Sequence, residues 1–579
     1  MKGLALTLTI LSATIALATV PVAALQQPAS KPLAQNSSAS EPWWKHAVFY
    51  EIYPRSFADA KNTGMGNLQG ITSKLDYLKD LGVDAIWITP CYPSPQVDFG
   101  YDISDYKSIA PEYGNMADFD QLVAEAKKRN IKIIMDLVLN HTSDKHAWFA
   151  ESSSSKTNPK RDWYVWRDGK NGGPPNNWQS VFGHSAWTLD PKTNQYYYHL
   201  FYTEQPDLNW RNPEVRKAMY DSARFWLDKG VAGFRLDAIL TLFEDPALRD
   251  NPVKAGLKNQ YGDPQMDNVY NDRLPEVHDV LKELRKVTDS YPGHRVLIGE
   301  TGGKDVAQLS TMYGTHNDEI QLPMNFFFAD VNKLSVPDFR REIEAWDKNP
   351  AHGWPVYLFS NHDQVRHYVR YGDGQHNDEI AKLTAAMLMT LRGTPILYYG
   401  EEIGMDNNDP KRVEDVKDPI GKIGWPQEKG RDGERTPMQW NGEKNAGFSQ
   451  ADPWLPVTDN YKTHNVATEQ ADPKSILNFY KALTQLRRTQ PALENGQYIP
   501  LNTTDNNVLS YLRKDNRGSV LVALNMTAAP QKVQFDLASH GIKAKQSKTL
   551  LATTDGAPSV AQLQDLQLAP FSVFIGEVK

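Results

Sequence analysis

Short apolar runs recur along this chain, separated by longer stretches whose apolar residues repeat at helical spacing. The runs fall at 47–52, 85–89, 132–137, 233–237, 296–300, 321–328, 356–360 and 395–398. Most are continuously apolar, as strands buried on both faces are. Between them, 116–129 and 214–229 read as amphipathic helices. In the first, Phe119, Leu122, Val123 and Ala126 make one stripe. Eight strands alternating with helices predict an α/β fold of the (β/α)8 TIM-barrel type rather than an open sheet.

Two regions break the alternation. Residues 141–206 are rich in Gly, Pro, Asn and Trp and are too long for a plain connection; they predict an inserted domain that acts as a lid. Beyond 496 the pattern changes to period two, at 508–512, 519–524, 531–535 and 571–575. This predicts a C-terminal antiparallel β-sandwich over 496–579, leaving 42–140 and 207–495 for the barrel. At the other end, Lys2, the apolar stretch 4–20 and the small residues Val22, Ala23 and Ala24 form a secretory signal pattern over 1–24. Residues 25–41, rich in Pro, Ala, Ser and Gln, predict a disordered linker. A periplasmic or extracellular protein is expected, with no membrane attachment after cleavage. The single Cys91 excludes an internal disulfide.

The net charge of -7 and pI of about 6.1 give no basic footprint for nucleic acid. With 15 Trp and 26 Tyr the chain has ample aromatic faces for core packing and for stacking on sugars.

The candidate chemistry lies at the ends of the predicted strands. At or close to the ends of four runs lie acids, Asp136, Asp237, Glu300 and Asp363, and barrel enzymes place active groups at these C-terminal ends. Glycosidic bond cleavage needs two carboxyl groups across the bond, one ionised and one holding a proton. Arg235 shares a strand face with Asp237, and its fixed charge should lower that carboxyl, as suits a nucleophile. Glu300 follows an apolar strand with no basic neighbour in sequence, as suits a general acid. Asp363 is a third carboxylate for sugar hydroxyls, and His141 and His362 are candidate hydrogen-bond donors to the same sugar. Asn140 and Thr142 complete a glycosylation pattern, read here as a false positive inside the barrel.

The stretches Asp136-Leu-Val-Leu-Asn-His141, Gly233-Phe-Arg-Leu-Asp237, Ile298-Gly-Glu300 and Ser360-Asn-His-Asp363 resemble the four signature regions of the α-amylase family of glycoside hydrolases. Gln205-Pro-Asp-Leu-Asn209, Ile52-Tyr-Pro-Arg-Ser-Phe57 and Gly430-Arg-Asp-Gly-Glu-Arg-Thr-Pro-Met-Gln-Trp440 are similar to its α-glucosidase branch, the oligo-1,6-glucosidases and maltases. The resemblance implies a retaining double displacement with Asp237 as nucleophile, Glu300 as acid/base and Asp363 as transition-state stabiliser. It implies a pocket for one terminal glucose, gripped by Asp98 and Arg435, stacked on Tyr101 and contacted by His141, Arg235 and His362. The partner it implies is a small oligosaccharide, bound by a monomer or homodimer without an organic cofactor.

Two departures concern metals. The loop from Asp59 to Asn67, where branch members often hold calcium, carries Lys61 and Thr63 at ligand positions, so no metal is expected there. The segment after Asp237 is similar to relatives that bind Ca²⁺ at the barrel/B-domain junction. Asn140, Asp207 and Glu244 would supply side-chain oxygens, and Thr241 and Leu242 carbonyls. Ala238 is small where α-1,6-selective members often carry Val, which favours α-1,4 links. Two competitors stand beside hydrolysis: a transglycosylase or isomerase similar to trehalose synthase, and a non-catalytic sugar-binding relative.

Overall fold

The computed structural model describes residues 41–349 and 353–579. The predicted signal and almost all of the predicted linker lie outside them. Eight parallel strands form one sheet: β1 (Phe49–Ile52), β2 (Ala85–Ile88), β3 (Lys132–Val138), β4 (Gly233–Asp237), β5 (Val296–Gly299), β6 (Leu322–Pro323), β7 (Val356–Tyr357) and β8 (Thr394–Tyr398). The order is β6-β5-β4-β3-β2-β1-β8-β7. A parallel bridge between Met324 and Val356 joins the two outer strands and closes the ring. Residues on one side of the strands, among them Phe49, Trp87, Ile134 and Ile298, fill the barrel interior, while alternate residues pack outward on the helices.

Local chemistry explains the helices between them. Met116–Lys128 begins with a capping box: the Asn115 side chain accepts from the Asp118 N–H while Asp118 accepts from the Asn115 N–H. Pro213–Asp228 starts with Asn212 as cap and Pro213 in its first turn. Strand β4 starts at a glycine because a Cβ on Gly233 would lie 2.1 Å from the Val296 carbonyl oxygen of β5. The adjacent strands that carry the site acids therefore pack as closely as the barrel demands.

The apolar run 321–328 is only a strand at Leu322–Pro323; Phe326–Ala329 is a helical turn. An unbroken apolar run does not distinguish a buried strand from a buried helix by period. Within 141–206, Trp166–Arg167, Gln195–Tyr198 and Trp187–Asp190 form a small sheet over a core of Trp178, Trp187, Tyr198 and Leu200. Beyond the barrel, a six-stranded antiparallel sheet contains Val508–Lys514, Ser519–Asn525 and Val573–Val578. Its period-two pattern has a use on both faces. Leu509, Tyr511, Val520 and Val522 join the main core, and Val508, Leu512, Leu521 and Ala523 face a second core with Val533 and Leu566. Residues 42–579 are thus one compact unit.

Candidate active site

Strand register brings the acids together. Arg235 pairs with Asp136 on one side and with Ile298 on the other. Two further steps along the parallel β4–β5 pair set Glu300 beside Asp237, and the Glu300 N–H donates to the Leu236 carbonyl at 2.9 Å. The Arg235 guanidinium, fully buried, then bridges the set. Its Nη1 lies 2.5 Å from Asp237 and 3.0 Å from Asp136, and its Nη2 lies 3.0 Å from Glu300. A basic neighbour is therefore present at Glu300, although none adjoins it in sequence. Ala238, in the left-handed region at φ 49°, turns its N–H onto Glu300 Oε2 at 2.9 Å. Such a conformation in a residue with a Cβ is strained and is held by its surroundings.

Burial changes the electrostatics expected from sequence. It pushes the Asp237 carboxyl well above the usual carboxylate range, although Arg235 pulls the other way. Burial likewise raises Asp136 to about 6 against Arg235 and the Tyr101 hydroxyl. Asp136 and Asp237 share one guanidinium, so these two carboxyls titrate as a pair. Asp363 goes the opposite way. Burial raises it, but His362, Arg431, Arg435 and Arg235 together hold it well below the usual range.

The remaining predicted residues surround the acids. Tyr101 stacks on His362 at 5.3 Å, and its hydroxyl reaches Asp136 (3.0 Å) and His362 Nε2 (2.7 Å). His362 Nδ1 lies 2.6 Å from Glu51, an acid buried inside the barrel. His141 contacts the Tyr101 carbonyl and Gln205, and burial lowers its pKa to about 3, so it is a neutral imidazole. Asp98 lines the cavity beside Arg431. Arg435 is 1% exposed, lies over Tyr53, and donates to the His362 carbonyl and to Asp363, both at 2.7 Å. Arg431 instead joins Asp98 (2.8 Å), Asp363 (2.9 Å) and Asp418 (2.7 Å). Asp418 is held at about 2: burial raises it, and Arg431 more than reverses this. Arg431 and Arg435 lie four residues apart in one motif. Only the packed structure separates the one in the cavity from the one behind it.

The groups open onto a cavity of about 350 Å³. Asp98, Tyr101, His141, Asp363 and Arg431 line it beside Asp237 and Glu300, with Phe182 and Phe201 contributed by the inserted region. These two aromatics, Phe326 and the Asp272–Arg273 pair were not singled out from sequence: the two aromatics and the Asp272–Arg273 pair come from long connections with no strand-end signal, and Phe326 lies in the apolar run 321–328, which reads as strand.

Three of the predicted metal residues, Asn140, Asp207 and Thr241, are linked by hydrogen bonds. Asn140 Oδ1 accepts from the Thr241 hydroxyl at 3.0 Å, and Asp207 accepts from the Leu200 N–H at 3.0 Å and from the Asn140 side chain. Glu244 lies 3.3 Å from Arg211, whose other nitrogen donates to the Glu244 carbonyl. Burial pushes Asp207 well up and Glu244 to about 7. Arg211 already supplies positive charge to Glu244, so the uncompensated oxygen donors here are the buried Asp207 and the Asn140 amide, groups of the kind a hard cation takes. Among the described residues, no cluster of three or more His, Cys, Asp or Glu side chains is gathered for a metal. In the 59–67 loop, Asp59 accepts from the N–H groups of Lys61, Thr63 and Gly64 and from Asn67 and Ser449. It is the Lys61 backbone, not its ammonium, that reaches this carboxylate.

Comparison with known proteins agrees with this geometry. The alpha amylase catalytic-domain family profile matches residues 51–496, and the maltogenic amylase C-terminal domain profile matches 500–575. An oligo-1,6-glucosidase of Parageobacillus thermoglucosidasius is 41% identical over 569 residues, covering 93% of this chain and 99% of the relative. A probable alpha-glucosidase of Rhizobium meliloti is 42% identical over 526 residues, 87% of this chain and 95% of the relative. Among solved structures, the trehalulose synthase of Pseudomonas mesoacidophila superposes with a TM-score of 0.86 at 37% identity, covering 93% of this chain and 100% of that one. An isomaltulose synthase mutant of Erwinia rhapontici, solved with its natural substrate sucrose, gives 0.85 at 37% identity, covering 94% and 100%. A barrel closed around strand-end acids, matched along nearly its whole length, leaves one assignment: the chain belongs to the α-amylase family of glycoside hydrolases, in the branch of the oligo-1,6-glucosidases and α-glucosidases.

Proposed function

We propose that the protein is an exported, retaining, exo-acting α-glucosidase that removes terminal non-reducing glucose from malto- or isomalto-oligosaccharides. The observation that carries this reading is the Arg235 fork, which holds Asp237 and Glu300 on two nitrogens of one guanidinium at the cavity floor. Retaining enzymes hold their two carboxyls about 5–5.5 Å apart, and a shared guanidinium keeps this pair together. Asp237 attacks the anomeric carbon as the C1–O bond breaks and Glu300 gives its proton to the leaving oxygen. Water then attacks C1, Glu300 takes its proton, and the ester bond to Asp237 breaks. The Arg235 and Ala238 contacts both fall on Glu300 Oε2, which leaves Oε1 to carry the proton. Asp98, Arg431 and Asp363 are tied to one another in the cavity lining, which supports exo action on a single glucose.

Export rests on the 1–24 pattern. For linkage, Ala238 favours α-1,4 and the oligo-1,6-glucosidase relatives favour α-1,6. A Ca²⁺ ion held by Asn140, Asp207, Glu244 and the Thr241 and Leu242 carbonyls would neutralise Asp207, which has no cationic partner beside it among the described residues. Chelation is expected to lower the melting temperature and calcium to restore it; an unchanged melting curve would exclude the site.

The test of function is Glu300→Gln. Maltose and isomaltose turnover should fall about 10³-fold, and hydrolysis of p-nitrophenyl α-glucoside far less, because that leaving group needs little protonation. Equal losses would remove Glu300 from the acid role. A second reading is sucrose isomerisation, favoured by the likeness to trehalulose and isomaltulose synthases. Isomerised disaccharide from sucrose would select it, and free glucose with no isomer would exclude it.

A further inference from the structure

The cavity has a side that the proposed glucose contacts do not use. Besides Asp98, Arg431 and Asp363, Leu240 and Thr241 after the nucleophile strand and Thr301 and Gly302 after the acid/base strand line the cavity. Asp272 and Arg273 lie in that same lining. Arg273 comes from the long connection between β4 and β5, and three observations fix it there. Its backbone N–H donates to the Leu240 carbonyl at 2.8 Å, in the turn that follows Asp237. Its φ of 55° is left-handed, a strained choice for arginine that clusters at functional sites. A Cβ added to Gly302 would lie 3.3 Å from its Nη2, so the guanidinium lies over the backbone two residues past Glu300.

Glu300 protonates the leaving oxygen in the proposed reaction, so a group beside Gly302 stands on the leaving-group side. The guanidinium is paired through Nη1 with the Asp272 carboxylate, and the two side chains are 35% and 24% exposed. Together they offer fork-shaped donors and carboxylate acceptors without net charge, a match for the adjacent hydroxyls of a neutral sugar rather than for an anionic group. Gly302 leaves the space the guanidinium fills.

We infer that Asp272 and Arg273 bind the hydroxyls of the departing sugar and set the preference for saccharide over other leaving groups. This rests on the glucosidase reading above. The test measures kcat/KM of wild type and Arg273→Ala on maltose, isomaltose and p-nitrophenyl α-glucoside. An aryl leaving group has no sugar hydroxyls, so the disaccharide-to-aryl ratio for the better disaccharide is expected to fall about 10- to 100-fold in the variant. Arg273→Lys, which keeps the charge but not the fork, should recover only part of it. An unchanged ratio, whether activity falls on all substrates or on none, overturns the inference. A wild type inert on all three overturns the glucosidase reading and this inference with it.

Discussion

Asp237→Asn is expected to lower kcat by about four orders of magnitude on maltose and aryl glucosides alike, with an unchanged fold. The amide matches the carboxylate in shape and still accepts from Arg235, so packing at the end of β4 is retained. What it lacks is the negative oxygen that forms the ester. Because the loss precedes any question of leaving group, it should not depend on the substrate, in contrast to Glu300→Gln. Circular dichroism and the melting temperature check the fold, and steady-state rates check the loss. Wild-type rates in this variant would show that another group attacks the sugar.

Arg235→Leu should be the most damaging single change, because it acts on stability and chemistry together. The guanidinium has no exposed surface and is the shared partner of Asp136, Asp237 and Glu300. Breaking a buried ion pair from one side costs about 3–5 kcal/mol, since the remaining charges stay buried without a partner. The carboxyls would respond by taking up protons, and a protonated Asp237 is no nucleophile. Denaturant unfolding should show the lost stability, and activity should fall at least as far as in Asp237→Asn. A variant as stable as wild type would mean that the acids are not held by this residue.

Much of this site was legible because barrel strands end where their apolar runs end. Asp136, Asp237 and Glu300 follow from that rule and from the period of two that puts Arg235 beside Asp237. The rule fails where pattern is silent. Phe326 sits in an apolar run that reads as strand and folds as helix. Val253–Lys258, largely exposed, pairs with Pro264–Met266 without any buried face to give it an alternating pattern. Arg431 and Arg435 share one motif, and their division of labour depends on loops meeting from distant parts of the chain. The net direction of the Asp237 shift was likewise out of reach, because it depends on depth of burial, which sequence spacing does not measure.

The most direct measurement is mass spectrometry of the Glu300→Gln variant quenched during turnover of α-glucosyl fluoride, whose leaving group needs no acid. A peptide containing Asp237 that is heavier by one anhydroglucose, with the carboxylate of Asp237 as the site of attachment, is the predicted result. Glucose attached at another residue, or β-glucose released by the wild type with no adduct at any time, would contradict it.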